Sequence, residues 1–497
     1  MRDQVGVGHQ VGVQKSISRR TLLKAVSGAV LSAQFLRGQQ SQPPNIILIL
    51  CDDLGYGDLH IYGSNMLTPN LDRMAQEGVM FRQFYSTSDV CSPARASLMT
   101  GRYATRVGIP RVLNPTDAGL PLGEKTMAEV LKPAGYKTAC VGKWHLGAQN
   151  QFLPTNRGFD SYFGIPYSND QLPSILLQGT QVVESPVQLD TITQRYTSHA
   201  VDFINASKSS PFFLYFAHTF PHIPLAASAA FLGKSALGLY GDVLSEIDWS
   251  VGQVLQALQA NGIDNNTLVM FTSDNGPWYL GSPGRLRGRK GSSYEGGVRE
   301  PFIARFPGRI PAANGRSGSL LPSTSGMVGV GPAPARVSNA VATTLDIMPT
   351  VANLCGAALP ANPMDGVDIW PVLSGQKTNV TRQAFLYFDD WNLQCARVGA
   401  WKVHVARYNT FPFSPDPVGG RVNLPLPTPE LYNIEADPDE SYDVAAEHPD
   451  IVTSMVALIL KLLPTFPADV MNAWNATMSQ KASANEGGLP TAIVPSN

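Results

Sequence analysis

Three things are scarce in this chain. Cysteine occurs five times in 497 residues, at Cys51, Cys91, Cys140, Cys355 and Cys395. These are too few and too scattered for a disulfide framework, no two stand in a C-x-x-C metal pattern, and an odd number leaves at least one thiol unpaired within the monomer. Charge is sparse as well: Asp, Glu, Lys and Arg make up 15% of the residues and the net charge is −1. That balance excludes non-specific nucleic-acid binding by bulk charge, although local basic clusters remain able to hold a small anion. Long apolar runs are missing too. The best of them, residues 25–36, is rich in Ser, Gly and Ala and falls short of the roughly 20 apolar residues that a membrane span needs. No internal repeat is present.

What the chain does have is interior. Hydrophobic residues reach 43% and the mean hydropathy is −0.05, the balance of a globular protein. The length allows a large core and more than one structural unit. Ahead of the apolar run stands Ser18-Arg19-Arg20-Thr21-Leu22-Leu23-Lys24. This order resembles a bacterial twin-arginine export signal. It predicts a leader over residues 1–42, use of the export machinery, and a mature protein that is periplasmic or secreted rather than membrane-embedded. No clean A-x-A cleavage site marks where the leader would end.

Asn45-Ile46-Ile47-Leu48-Ile49-Leu50 is apolar without alternation, as in a strand buried on both faces, and it runs into Cys51-Asp52-Asp53. Open α/β sheets place their sites at such C-terminal strand ends. One acid there is commonly a loop cap; two adjacent acids repel each other unless a cation holds them. Residues 267–272 repeat the pattern and end in Ser273-Asp274-Asn275-Gly276. Asp52, Asp53, Asp274 and Asn275 thus form an all-oxygen set suited to a hard cation, Ca²⁺ or Mg²⁺ rather than Zn²⁺.

The stretch Cys91-Ser92-Pro93-Ala94-Arg95-Ala96-Ser97-Leu98-Met99-Thr100-Gly101 reads as a short helix. Ser92 is the expected N-cap, Pro93 the first helical residue and Gly101 the stop. Cys91 then sits just ahead of the helix, where free N–H groups favour an anion, with Arg95 close by. Alone, Cys91 would read as one more buried thiol. Lys143-Trp144-His145, flanked by glycines, offers a lysine and a histidine two apart on an extended segment, aimed to one side at a common anion. His218-Thr219-Phe220-Pro221-His222-Ile223-Pro224 puts two histidines in a proline-bracketed loop, and spacing does not say which of them matters. Residues 285–301 form a basic, glycine-rich loop containing Lys290. Most of its arginines suit a solvated face.

Around these motifs, strands are expected at 79–85, 135–142, 211–217 and 302–306, and helices at 70–76, 126–132, 243–260 and 343–355. The alternation predicts an α/β protein with a large mixed, mostly parallel sheet flanked by helices. Residues 308–337, poor in charge and rich in Gly, Ser, Ala and Pro, read as a surface insertion. Past a break near Gly375 the character changes. Short strands at 384–388, 396–398 and 401–405 and a helix at 449–463 predict a smaller C-terminal α+β subdomain with an antiparallel sheet. A loose polar tail is expected from Ser479. The domain division is therefore 1–42, 43–375 and 376–497.

Together, C-S-P-A-R…L-M-T-G from Cys91, Gly135-Tyr136-Lys137-Thr138…Gly142-Lys143-Trp144-His145-Leu146-Gly147 and the two acidic strand ends resemble the type I, formylglycine-dependent sulfatases of the alkaline phosphatase superfamily. The similarity spans residues 45–444. Gly164-Ile165-Pro166-Tyr167-Ser168-Asn169-Asp170 and residues 291–301 are most similar to the arylsulfatase A / N-acetylgalactosamine-6-sulfatase branch. The resemblance implies an alkaline phosphatase-like fold and hydrolysis of aryl or carbohydrate sulfate esters. It implies that a separate maturation enzyme oxidises Cys91 to Cα-formylglycine. One hydroxyl of the hydrated aldehyde would attack sulfur and displace the alcohol; the other would lose its proton so that sulfate is expelled, a step open to neither serine nor cysteine.

By the same resemblance, Asp52, Asp53, Asp274 and Asn275 ligate Ca²⁺, with residue 91 completing the shell. Arg95 orients residue 91. Lys143 and Lys290 neutralise sulfate oxygens, and Ser168 contacts sulfate. His145 bonds to residue 91 and assists its second deprotonation, and His222 contacts sulfate and helps protonate the leaving oxygen. His218 and His404 are weaker candidates for the pocket rim. Cys51 departs from the small residue common at that position in relatives. Two other readings compete: a phosphodiester or phosphonate hydrolase of the same superfamily, and a non-catalytic binder of sulfated glycans with Cys91 unmodified. Kinetics separate the first; the full complement of site residues speaks against the second.

Overall fold

The uninterrupted apolar runs do become strands covered on both faces. The computed structural model describes residues 42–312, 335–410 and 420–486. Among them, eleven strands form one sheet: β1 (Asn45–Cys51), β2 (Val79–Tyr85), β3 (Lys137–Gly142), β4 (Ser161–Gly164), β5 (Leu176–Gln178), β6 (Gln181–Glu184), β7 (Phe212–Ala217), β8 (Thr267–Ser273), β9 (Arg299–Arg305), β10 (Arg336–Ser338) and β11 (Ala342–Thr343). Their spatial order is β10-β2-β9-β8-β1-β7-β3-β4-β5-β6, with β11 also on β2. β1 pairs in parallel with both β7 and β8, and β3 in parallel with β7 and β4. β9 runs antiparallel between β8 and β2, which makes the sheet mixed but mostly parallel.

Every residue of β1, β7 and β8 is buried. Alternate side chains serve opposite cores. Ile46, Leu48 and Leu50 join the layer that contains helix Cys91–Thr100. Ile47 and Ile49 join the layer under helices Ile192–Ser207 and Gly238–Ala260.

A second sheet holds β12 (Phe385–Asp389), β13 (Asn392–Val398), β14 (Trp401–Tyr408) and β15 (Asn423–Asn433), antiparallel in that order. Helices Pro449–Leu462 and Ala468–Glu486 cover it through Met455, Ile459 and Val470. Its core also takes Tyr85, Tyr103, Val298 and Leu345 from the larger sheet's side, so the two sheets share one apolar seam.

Several expectations are corrected. β15 is not among the expected strands, and it carries Pro425, Pro427 and Pro429. β15 is the outer strand of its sheet and its pairing with β14 is interrupted between Pro425 and Glu430, and both an outer position and a break in the ladder tolerate proline. The chain beyond Ser479 is not a loose tail at its start, since the last helix continues to Glu486. The stretch 308–337 is not wholly a surface insertion: Ala335, Arg336 and Val337 are buried and β10 pairs with β2. Residues 313–334 and residues 1–41 of the expected leader lie outside the described residues. Among the described residues, no helix is long and apolar enough to cross a membrane.

Candidate active site

Four neighbouring parallel strands stop at one level. Cys51 is opposite Ser273, Leu50 opposite Ala217, and Ala217 opposite Gly142. The next residues out are Asp52 and Asp53 from β1, Asp274 and Asn275 from β8, His218 from β7 and Lys143 from β3. Register alone therefore collects acids, an amide and a lysine at one sheet edge. Gly142 permits the exit of its strand: its φ is +113°, and a Cβ there would lie 1.7 Å from the Ala217 carbonyl oxygen. Asp53 and His145 adopt left-handed φ values of 66° and 58°, a strain that side-chain-bearing residues hold where the surroundings impose it.

Cys91 arrives from β2 as the first residue of helix Cys91–Thr100, and Val90, with extended backbone, caps it. Ser92 is not the cap. Its Oγ accepts instead from the Leu113 N–H at 3.1 Å, and Pro93 sits within the first turn, where its missing donor still costs nothing. Gly101 ends the helix at φ 66° as expected.

The thiol of Cys91 donates to Asp52 Oδ1 (3.5 Å), and Lys290 Nζ lies 3.4 Å from its sulfur. Lys290 Nζ also donates to Asp53 Oδ2 at 2.9 Å. Lys143 Nζ pairs with Asp52 Oδ2 and donates to Ser168 Oγ at 3.1 Å. Asp53 Oδ1 accepts from Asn275 Nδ2 at 2.7 Å. His222 Nε2 stands 3.7 Å from Asp53 Oδ2, while its Nδ1 donates to the Ile223 carbonyl at 2.5 Å. All of these side chains are nearly or fully buried.

Two expected contacts differ. Arg95 reaches past the thiol, bonding Asp274 Oδ2 through Nε (2.9 Å) and the Lys143 carbonyl through Nη1 (2.8 Å), with Nη2 3.3 Å from Asp52 Oδ2. Its hydrogen bonds thus go to the carboxylate of Asp274 and the Lys143 backbone, while Cys91 lies near enough to interact with its charge. His145, turned by its left-handed backbone, does not share the extended line expected with Lys143. Its Nε2 donates to the Leu113 carbonyl at 3.1 Å. A carbonyl only accepts, so Nε2 carries the proton and the buried Nδ1, which has no partner, presents its lone pair. Of the weaker candidates, His404 bonds Glu440 in the second sheet at 2.7 Å. His218 is wholly buried with both ring nitrogens unpartnered, and burial pushes it down to about 3.

The electrostatics are those of crowded carboxylates. Burial alone would raise Asp52, but Lys143, His222 and Arg95 outweigh it and hold Asp52 well below the usual carboxylate range. Burial, then the charge of Asp52, pushes Asp274 up to about 7. Burial and Asp52 also push the Cys91 thiol up, away from the reactive thiolate. Burial, reinforced by Lys143, lowers His145 and keeps the ring neutral; burial, reinforced by Lys290, lowers His222.

These residues fit a cation. Ligand atoms of Asp52, Asp53, Cys91 and His222 lie within 4.8 Å of one another. Asn275 Oδ1 is buried without a partner, and Asp52 Oδ2 has ion-pair neighbours but no well-directed hydrogen bond. Buried acceptors left open beside three carboxylates are what a hard, oxygen-seeking ion would satisfy.

Residues 44–357 match the family model described as sulfatase. The chain belongs to the sulfatase family. Residues 380–487 match the C-terminal region of aryl-sulfatase. Bovine (Bos taurus) arylsulfatase A is 36% identical over 92% of this chain and 94% of its own length. Canine (Canis lupus familiaris) N-acetylgalactosamine-6-sulfatase is 41% identical over 77% of this chain and 75% of its own. Among solved structures, the PsFucS1 sulfatase from Pseudoalteromonas sp. superposes with a TM-score of 0.73 at 26% identity, covering 92% of this chain and 95% of that one. The fold is thus the alkaline phosphatase-like one of sulfatases, and this sulfatase hydrolyses sulfate esters.

Sequence reasoning missed one buried group beside the site: Glu295, Lys402 and Glu440. The signal was Trp401-Lys402-Val403-His404-Val405, a strand in which a lysine and a histidine alternate with apolar residues and point the same way.

Proposed function

We propose that the substrate is a carbohydrate sulfate ester, cleaved at Cys91 after that residue has become Cα-formylglycine and with Ca²⁺ bound. One observation carries the reading: a single buried cluster joins Cys91, two lysines, His222, Arg95 and four oxygen-bearing residues from strand ends far apart in sequence. The relatives named for N-acetylgalactosamine-6-sulfate support a glycan over a simple aryl ester. Asp52, Asp53, Asp274 and Asn275, with residue 91, would hold the ion. The two added groups supply a nucleophilic hydroxyl with a second hydroxyl for release, and a Lewis acid that polarises sulfate.

The chain's own residues do the rest. Lys143 and Lys290 stand on either side of the Cys91–Asp52 contact and set two ammonium groups against sulfate oxygens. Ser168, held by Lys143, offers a hydroxyl to the same anion. Arg95 locks Asp52 and Asp274 in place and fixes the Lys143 backbone. Nδ1 of His145 is the lone pair available to take a proton at residue 91. Nδ1 of His222 is committed to Ile223, so Nε2 is the atom that faces the leaving oxygen, and it hands over a proton only from the charged ring, the form that neighbouring Asp53 favours. Export through the twin-arginine route, already folded, would deliver the enzyme to the periplasm or beyond, where sulfated glycans are met.

The test has two readouts. Protein made beside a formylglycine-generating enzyme should show aldehyde in place of thiol when the Cys91 peptide is weighed. It should also release sulfate from defined sulfated mono- and oligosaccharides. Full activity with an unmodified thiol would refute the nucleophile; release from aryl sulfates alone would refute the substrate class.

A further inference from the structure

Lys290 is gripped from behind. Its segment, residues 287–295, runs between the candidate site and the second sheet. On the site side, the Lys290 N–H donates to the Pro277 carbonyl at 3.1 Å and the Gly291 N–H to the Asp89 carbonyl at 2.9 Å. On the other side stands Lys402 of β14, fully buried. Its Nζ donates to the Ser293 carbonyl (2.8 Å) and Glu295 Oε1 (3.0 Å), and lies 3.2 Å from Glu440 Oε1. Glu440 takes the two ends of the segment: its Oε2 accepts the Glu295 N–H at 2.6 Å and its carbonyl accepts Arg287 Nη1 at 2.9 Å. Below, Gly296 and Gly297 allow the close approach. A Cβ at Gly297 would lie 1.9 Å from the Ser292 carbonyl oxygen, and one at Gly296 would lie 2.4 Å from that of Gly288.

We propose that Lys402 and Glu440 are positioning residues for Lys290, so that the second sheet sets where the Lys290 ammonium meets a bound sulfate. A lysine on its flexible four-carbon stem cannot place its own charge; its backbone must be placed for it. Lys402 has three N–H donors and meets three separate acceptors here, which fixes direction as well as distance. Buried ion pairs are a poor source of stability compared with apolar packing, and their best use is to specify one geometry. Geometry is what an electrostatic contact to a transferring sulfuryl group requires, because small displacements are costly in rate.

The inference rests on Lys290 as a sulfate-binding group, and the experiment separates the two. Lys402→Met and Glu440→Gln are each made in the wild-type chain and in a Lys290→Ala background. Each protein is read by kcat/KM on a sulfate ester and by affinity for inorganic sulfate. With Lys290 present, Lys402→Met should lower both readouts by about twentyfold; without Lys290 it should lower them less than about threefold. Lys402→Arg, which keeps charge and donors, should recover most of the loss. Equal losses in both backgrounds would overturn the proposal, since a merely structural residue weakens both proteins alike. Should Lys402→Met not fold, the Glu440→Gln cycle decides on the same criterion. If Lys290→Ala leaves sulfate affinity unchanged, the sulfate-binding role of Lys290 is what fails, and the positioning role falls with it.

Discussion

Around Cys91, the carboxylates of Asp52, Asp53 and Asp274 share a buried space with Arg95, Lys143 and Lys290; around Lys402, those of Glu295 and Glu440 share one with Arg299, Arg397 and His404. The two clusters face each other across residues 287–295 and have similar charge content. They differ in closure. In the first, Asp52 Oδ2, Arg95 Nη2, His145 Nδ1 and Asn275 Oδ1 are buried without a hydrogen-bond partner. In the second, no side-chain nitrogen or oxygen of Glu295, Lys402, Glu440 or Arg397 is among the buried unpartnered atoms of the described residues. Leaving buried polar atoms unpaired costs about 1–3 kcal/mol each, a cost that a bound ion would remove at the first cluster. The closed cluster is suited to positioning; the open one keeps acceptors that could hold a metal.

The sharpest way to break this contrast is Cys91→Ala. In the open cluster the side chain's hydrogen bonds among the described residues are two weak sulfur contacts, so the fold should survive with a thermal midpoint within about 3 °C of wild type. Activity should fall by at least about 10⁴-fold if residue 91 is the nucleophile. Turnover at the wild-type rate would remove it from that role. Next in size is Asp274→Ala. If the proposed calcium is held there, this change should strip it, read by elemental analysis after dialysis, and lower kcat/KM at least about 100-fold, since outer-shell partners of metal ligands alone cost about 10–100-fold. Unchanged calcium content would take Asp274 off the ligand set.

The open cluster was largely legible in the sequence and the closed one was not, for a physical reason. Asp52-Asp53 and Asp274-Asn275 each follow an unbroken apolar run, and parallel register forces such ends together. A reader of sequence needs only to recognise the strands. Lys402, Glu440 and Glu295 sit in three unrelated contexts, a β14 strand, a loop and a helix start, and only the docking of the second sheet joins them. The finer geometry was also hidden. The left-handed backbone of His145 turns it to Leu113, and Ser92 yields its capping place to Val90 because its hydroxyl is taken by Leu113. β15 was not among the expected strands; proline propensity speaks against a strand there, and its outer position permits one.

Closure has a stability signature that the open cluster should lack. Lys402→Met leaves Glu295 and Glu440 facing each other in the interior without their shared cation. Breaking one partner of such a buried network costs about 3–5 kcal/mol. Urea unfolding should show that loss for Lys402→Met, against about 1 kcal/mol or less for Cys91→Ala. Similar losses for the two would mean that the clusters differ in appearance only.

The smallest effect is in acid, and its sign follows from the closed cluster. Burial alone would raise Glu295, but Lys402, Arg397 and Arg299 outweigh it and bring it down to about 2, against 4.5 for an unperturbed glutamate. The unfolded chain therefore takes up the proton first as pH falls. The stability that Glu295 contributes is whole above pH 4.5 and drains away as pH drops toward 2. His404, lowered chiefly by burial despite its bond to Glu440, takes up its proton later in the fold than in the unfolded chain and adds a loss that starts below 6.5. Wild-type protein should thus weaken in two stages on acidification. Glu295→Gln, nearly isosteric with the protonated acid, should be less stable than wild type at neutral pH and converge on it in acid. A gap that stays constant from neutral pH down to about pH 3 would mean that shape, not charge, is what Glu295 contributes to the cluster, and that its closure is steric rather than electrostatic.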